Sequence, residues 1–337
     1  MKNLQTFSIR HSKAGVLLGL GFLTILIAIL SMMLGSVQLA PNQVLAALMG
    51  EDTTSTAARI VLFSRLPRTF AAMLAGAALA VSGVVIQTVL NNPLASPGVI
   101  GVNSSAGFAV ALVCAIAPGM QHYTPFVAFL GALAGVLFVM VLSQSTAAAR
   151  ITVVLAGVAI SNFFSAGIDA VVTLVPDALN GVTDFRIGGF TGVTVAQLAP
   201  AAKVIFISLL VVVSFAKQLD ILALGSDTAK SLGLSVSLFR MIFLILAAAL
   251  AGAAVSFSGL LGFVGLIVPH IMRRLVGEEN GVLLFASAIG GAFFVMLCDL
   301  VARVLFAPFE IPVGIVLSFA GAPFFLWLLF KQRGGRT

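Results

Sequence analysis

The side chains best placed to do chemistry in this chain are charged ones in apolar surroundings. Arg65 and Arg68, in the run Arg65-Leu-Pro-Arg68, stand one helical turn apart at the mouth of an Ala/Gly-rich stretch, Thr69–Leu90, that is long and apolar enough to cross a bilayer. Arg303 follows Asp299 by four residues, a spacing that lets the two pair on one helix face. Guanidiniums so placed suit two tasks. They snorkel to headgroups and anchor helix ends, or they form a basic collar that docks acidic groups of a soluble partner, where complementary charge sets orientation and encounter rate. Asp169 lies inside another apolar segment, with Asn162 two turns before it on roughly the same face. An ionised carboxylate in the bilayer costs about 2.5–3.5 kcal/mol on insertion scales, so Asp169 either lines a water-filled pathway or sits at the outer edge of the membrane.

Motifs for bond-making chemistry are missing. Without a Gly-x-x-x-x-Gly-Lys-[Ser/Thr] loop the chain does not itself cradle ATP phosphates, so energy must arrive from a partner or an ion gradient. It also lacks His-Glu-x-x-His and Gly-x-Ser-x-Gly, and His11, His122 and His270 are too scattered for a metal site. No cofactor and no nucleic-acid partner are expected, and an intramembrane enzyme would need a nucleophile and base that cannot be found.

The elements that position these residues are helices in a membrane. Of 337 residues, 60% are hydrophobic and 9% charged, against about 25% charged in a soluble globule. The fold class is therefore all-α, a polytopic membrane protein forming one transmembrane domain over 1–337, in contact with lipid. Ten apolar segments are predicted: Ala14–Leu34, Thr69–Leu90, Gly98–Ala117, Thr124–Leu142, Ile151–Val175, Pro200–Phe215, Met241–Phe257, Gly259–Ile271, Val282–Ala302 and Ile311–Phe330. Gly259, Gly262, Gly265 and Pro269 interrupt the short eighth, which should be an irregular helix buried among the others. The first follows Lys2, Arg10 and Lys13 with no small-residue cleavage site after it, which favours a retained helix. Cys114 and Cys298 both lie in apolar segments and suggest packing rather than a disulfide.

Lys and Arg are retained on the cytoplasmic side. With the N-terminus inside, twelve of the 18 basic residues face the cytoplasm, and Arg59, Arg65, Arg68, Arg186, Lys203 and Arg303 fall outside. The tail Lys331-Gln-Arg333 also reads as inside, and two inside termini demand an even number of crossings. The largest inside connection, Lys217 to Arg240, reads as a short helix, a glycine stop at Gly225 and a new helix capped by Ser226 or Asp227. Two small helices with apolar faces point to a cytoplasmic partner over a plain solvated loop.

A set of motifs, in order and spacing over nearly the whole chain, resembles one family. They are Arg65-Leu-Pro-Arg68, Leu74-Ala-Gly-Ala-Ala78, Asn92-Pro-Leu-Ala95 with Pro97, Leu222-Ala-Leu-Gly225 with Leu232-Gly233, Gly262-Phe-Val-Gly-Leu266 with Pro269-His270 and Arg273, Asp299-Leu-Val-Ala-Arg303, Glu310-Ile-Pro-Val-Gly314 and Gly321-Ala-Pro323. Together they resemble the permease subunits of ABC importers for ferric siderophores, haem and cobalamin. The resemblance implies a type II ABC importer permease fold in the bacterial inner or plasma membrane, multi-pass with both termini cytoplasmic. It pairs with a second permease copy or paralogue. A substrate-binding protein docks outside through Arg65, Arg68 and Arg303, and two cytoplasmic ATPase subunits dock on Leu222, Ala223, Leu224, Gly225, Ser226, Asp227, Leu232 and Gly233. It also implies a cytoplasmic gate in Ser143–Arg150, here Ser145 and Thr146, with Asn162 and Asp169 as pathway candidates. Ferric siderophores lead as substrate because they are the commonest in the family, with haem or cobalamin as alternatives. A reading of a different class is a secondary transporter driven by an ion gradient through Asp169 and Asp299.

Overall fold

The computed structural model describes residues 12–51, 53–144 and 150–333, and a helix forms over each of the ten apolar segments. These are α1 (Lys13–Met33), α2 (Leu66–Leu90), α3 (Val102–Ile116), α4 (Thr124–Gln144), α5 (Arg150–Leu174), α6 (Val195–Ser214), α7 (Val236–Ser258), α8 (Val264–Val276), α9 (Asn280–Val304) and α10 (Val313–Arg333). Seven helices among the described residues, α2 counted with the turns before it, are long and apolar enough to cross a membrane by length and composition. The fold is all-α, and α3 and α8 are its short members, with 15 and 13 residues.

Some boundaries move for local reasons. Helix α6 starts five residues before Pro200, because Thr194 accepts from the Gln197 backbone while the Gln197 side chain accepts from the Thr194 N–H, a reciprocal capping box. Residues 259–263 do not join α8: Gly259 and Phe263 both have φ +65° and break the run, so the helix begins at Val264. Ahead of α3, residues 97–100 form a tight turn that Gly101, at φ +87°, separates from the helix.

Helix α2 is the axis. It is buried on every face from Ala78 to Leu90 and packs against α9, α7 and α8, as its all-round apolar sequence demands. Lipid gives helices no hydrophobic reason to associate, so close backbone approach through small residues has to supply the attraction. A Cβ on Gly76 would lie 2.1 Å from the Gly291 carbonyl oxygen of α9, and one on Gly83 would lie 2.0 Å from that of Gly265 on α8. Ser82 donates to the Ala247 carbonyl at 2.7 Å, tying α2 to α7. Helices α3, α4 and α5 pack beside this centre, α6 lies on α7, and α1 covers α9.

Helices α2 and α9 run antiparallel, with Arg68 opposite Asp299, Gly76 opposite Gly291 and Thr88 opposite Asn280. The pair therefore has an arginine rim at one end. A far rim at the other end also carries two short helices, Ala216–Ala223 and Ser226–Ser231, between α6 and α7.

Candidate functional site

At the arginine rim, Pro67 shapes the backbone. A proline has no N–H for the carbonyl four residues back and its ring crowds that carbonyl. The turn before it widens accordingly: Val61–Arg65 is a π turn, closed by the Leu66 N–H on the Val61 carbonyl. Such bulges re-aim side chains and are frequent at functional sites. Here the turn ends on Arg65.

The three arginines come together in one buried cluster. Arg65, Arg68 and Arg303 are 4%, 7% and 2% exposed, and Asp299 is 1% exposed. Arg68 donates through Nε to both Asp299 oxygens, at 3.1 and 3.2 Å, and through Nη1 to Glu310 Oε2 at 2.6 Å. Arg303 Nε lies 3.1 Å from the other face of the same carboxylate, as the four-residue spacing predicts. Its remaining nitrogens donate to the Ser31 hydroxyl and carbonyl on α1, and Ser31 pairs with Thr69 at 2.8 Å. Among the described residues, Arg65 has no carboxylate in direct contact. It donates to the Met32 carbonyl at 2.7 Å and to that of Val37, beside Gly35, whose missing side chain leaves the space.

This differs from an open basic collar. Among the described residues, three guanidiniums meet two carboxylates, leaving one positive charge in excess, and of these five only Glu310, with 31% of its side chain exposed, reaches the surface appreciably. Snorkelling to headgroups does not describe the arginines either, since their donors end on protein acceptors. Sequence reasoning paired Asp299 with Arg303 and missed Glu310 and the second claim on Asp299.

The far rim is held by amides and a hydroxyl, each charged member bonding to an amide rather than to an opposite charge. Gln87 of α2 donates to the Gly265 carbonyl at 2.9 Å and accepts from Arg273 of α8. Thr88 donates to Asn280 Oδ1 at 3.3 Å. Asn280 in turn donates through its backbone N and its Nδ2 to Asp220 Oδ1, at 2.9 and 2.8 Å. Arg273 and Gly265 belong to a motif read from the sequence, whereas Gln87, Thr88, Asn280 and Asp220 were not singled out, because polar groups at the end of an apolar helix give no periodic signal.

The predicted helix, stop and helix of the inside connection is present, with corrections. Leu222 is buried, whereas Leu224 and Leu232 are 61% and 59% exposed. Gly225, at φ +103° and ψ 158°, occupies the cap position itself, a conformation that glycine alone tolerates well. Ser226 and Asp227 begin the second helix rather than cap it; Ser226 accepts from Arg240 at 3.2 Å, and Arg240 belongs to α7. Gly233, at φ +82°, ends the segment beside Leu232. Ala223 and Asp227 are exposed.

The pathway candidates lie elsewhere. Asn162 and Asp169 are exposed on an open face of α5, where Asp169 sits 3.7 Å from Arg186 of the short helix Leu179–Ile187. Ser145 and Thr146 lie outside the described residues. Cys114 and Cys298 are free and buried.

With this geometry, comparisons become informative. The sequence profile of the FecCD transport family matches residues 23–331. The hemin transport system permease protein HmuU of Yersinia pestis is 37% identical over 94% of this chain and 97% of its own length. The Fe(3+)-citrate import system permease protein YfmE of Bacillus subtilis (strain 168) is 34% identical over 93% of this chain and 94% of its own. Among solved structures, an inward-facing metal-chelate type ABC transporter superposes with a TM-score of 0.84 at 28% identity, covering 94% of this chain and 99% of that one. PsaBC from Streptococcus pneumoniae in complex with Fab, at a TM-score of 0.58, 17% identity and coverage of 80% of this chain and 92% of that one, is alike in fold alone.

Proposed function

The chain belongs to the FecCD transport family, and on that premise we propose how this permease is assembled, what it carries and where its partners dock. It is the membrane-spanning permease subunit of an ABC importer, a multi-pass membrane protein with the type II importer fold. Iron chelates of the siderophore class are the substrate, with haem as the second reading, favoured by the likeness to the Yersinia permease. Two copies, or this chain and a paralogue, enclose the pathway between them as one domain each. The open face of α5 supports this, because it presents Asn162 and Asp169 together with exposed Leu155 and Phe163, a mixture suited to a protein-lined, partly wet seam. Ser145 and Thr146 gate its inner end.

A substrate-binding protein docks at the arginine rim, which faces outward, and both termini face the cytoplasm. The excess positive charge of the Arg65, Arg68 and Arg303 cluster supports this placement, with Glu310 as the exchangeable acid that an incoming carboxylate replaces on Arg68. ATPase subunits dock at the far rim, on Leu222 to Asp227 with Leu232 and Gly233. The observation that carries the reading is the sequence match along the chain combined with apolar Leu224 and Leu232 left bare on two short helices. The permease hydrolyses nothing itself. A secondary transporter is disfavoured because Asp299 is held between two guanidiniums.

Uptake of a radiolabelled ferric siderophore into proteoliposomes, containing the permease with its ATPase and binding protein, tests the proposal. Uptake is expected to need ATP and the binding protein and to ignore a protonophore. Uptake driven by an ion gradient without ATP would overturn it.

A further inference from the structure

Helix α9 starts at Asn280, and the residue before it, Glu279, makes no side-chain cap there. The free N–H groups at a helix start want an acceptor, and the helix dipole favours a negative one. The acceptor comes from another element. Asp220, 60 residues earlier on the short helix Ala216–Ala223, places Oδ1 at 2.9 Å from the Asn280 backbone N and 2.8 Å from its Nδ2. Asn280 is 2% exposed, and its own carbonyl oxygen accepts from Thr88 at the end of α2. Helix Ala216–Ala223 packs on α2 and α9, whereas Ser226–Ser231 packs chiefly on its neighbour and α7.

We infer that Asp220 is the positioning residue that fixes the ATPase-docking segment to the α2–α9 pair, so that a push on the segment moves both helices as one body. The inference rests on the docking reading above for what does the pushing. Its physical content is a tertiary cap: one carboxylate oxygen closes the start of α9, and through Asn280 and Thr88 it also reaches α2. The other ends of the same helices hold Arg68 and Asp299. Displacement of the segment is thereby delivered to the rim about 29 Å away, the rise of the 19 residues from Asn280 to Asp299, without any side-chain relay between.

The test uses the assembled importer in proteoliposomes, with three readouts: ATPase subunit retained on the permease, ATP hydrolysed, and substrate taken up per ATP. Asp220→Ala is expected to keep the ATPase subunit bound and hydrolysing while uptake per ATP falls about tenfold, since both hydrogen bonds to buried Asn280 are lost at once. Asp220→Asn, whose amide oxygen accepts both bonds, is expected to retain most of the uptake. Normal uptake by Asp220→Ala, loss of the ATPase subunit from it, or equal failure of Asp220→Asn would each overturn the inference. A second measurement holds if Asp220→Ala does not fold. With Cys114 and Cys298 replaced by Ala, the pair Asp220→Cys and Asn280→Cys is expected to cross-link in the permease alone and to transport while bridged. Failure to cross-link removes the contact, and arrest by the bridge shows that the segment must part from α9. Absence of ATP-driven uptake by the unmodified importer would instead sink the proposed function, leaving the cross-link to judge the contact.

Discussion

The two ends of the α2–α9 pair hold the same helices by different chemistry. At the arginine rim, Arg68 and Arg303 share Asp299 in a buried ionic cluster. At the far rim, Gln87, Thr88 and Asn280 do the equivalent work through amides and a hydroxyl, with Asp220 the one carboxylate they engage. A neutral network that loses a member forfeits its hydrogen bonds; an ionic cluster that loses one strands an uncompensated charge in a medium that cannot solvate it. The first end is thus the less tolerant of a lost member, and the second forfeits only the bonds that member makes.

The harshest way to break this comparison is Asp299→Ala, which takes the carboxylate from Arg303 and leaves Arg68 with Glu310 alone. A loss of about 3–5 kcal/mol is expected, seen as a collapse of the thermal midpoint of the purified permease; a mild effect would mean the arginines find water. At the far rim, Gln87→Leu removes the partner of Arg273 and the donor to Gly265. It should cost less, about 1–3 kcal/mol, in the same melting experiment, and a cost matching that of Asp299→Ala would erase the contrast. Glu310→Gln sharpens the comparison from the surface. It frees Arg68 of its exposed partner, so binding-protein docking should tighten several-fold at low salt and the gain should fade as salt rises; docking that weakens would show Glu310 to be a contact rather than a placeholder. The smallest change is expected for Arg186→Ala, which breaks the exposed pair with Asp169 and should move stability by no more than about 0.5 kcal/mol.

Much of the fold was legible because crossing a bilayer demands a length of apolar chain, and such lengths are visible for seven helices among the described residues. What escaped was set by single residues: the Thr194–Gln197 capping box that starts α6 before Pro200, and the left-handed Phe263 that delays α8. The rim shows the same division. Arg303 with Asp299 was readable because four residues make one turn. Arg68 with Asp299 joins positions 231 residues apart, and only packing brings them together. The burial of the arginines was hidden for the same reason: their acceptors, the carbonyls of Ser31, Met32 and Val37, belong to backbone that any sequence possesses.

The glycine contact at the middle of α2 acts as a ruler. Eight residues separate Arg68 from Gly76 on one helix and Gly291 from Asp299 on the other. Each residue turns an α-helix by about 100°, so an insertion or deletion in either stretch would swing the ionic rim out of phase with the crossing, and one between Gly76 and Thr88 would do the same to the far rim. Both helices are therefore closed to changes of length as well as of side chain. Variation in the size of such a permease has to be taken up in its loops and at its termini.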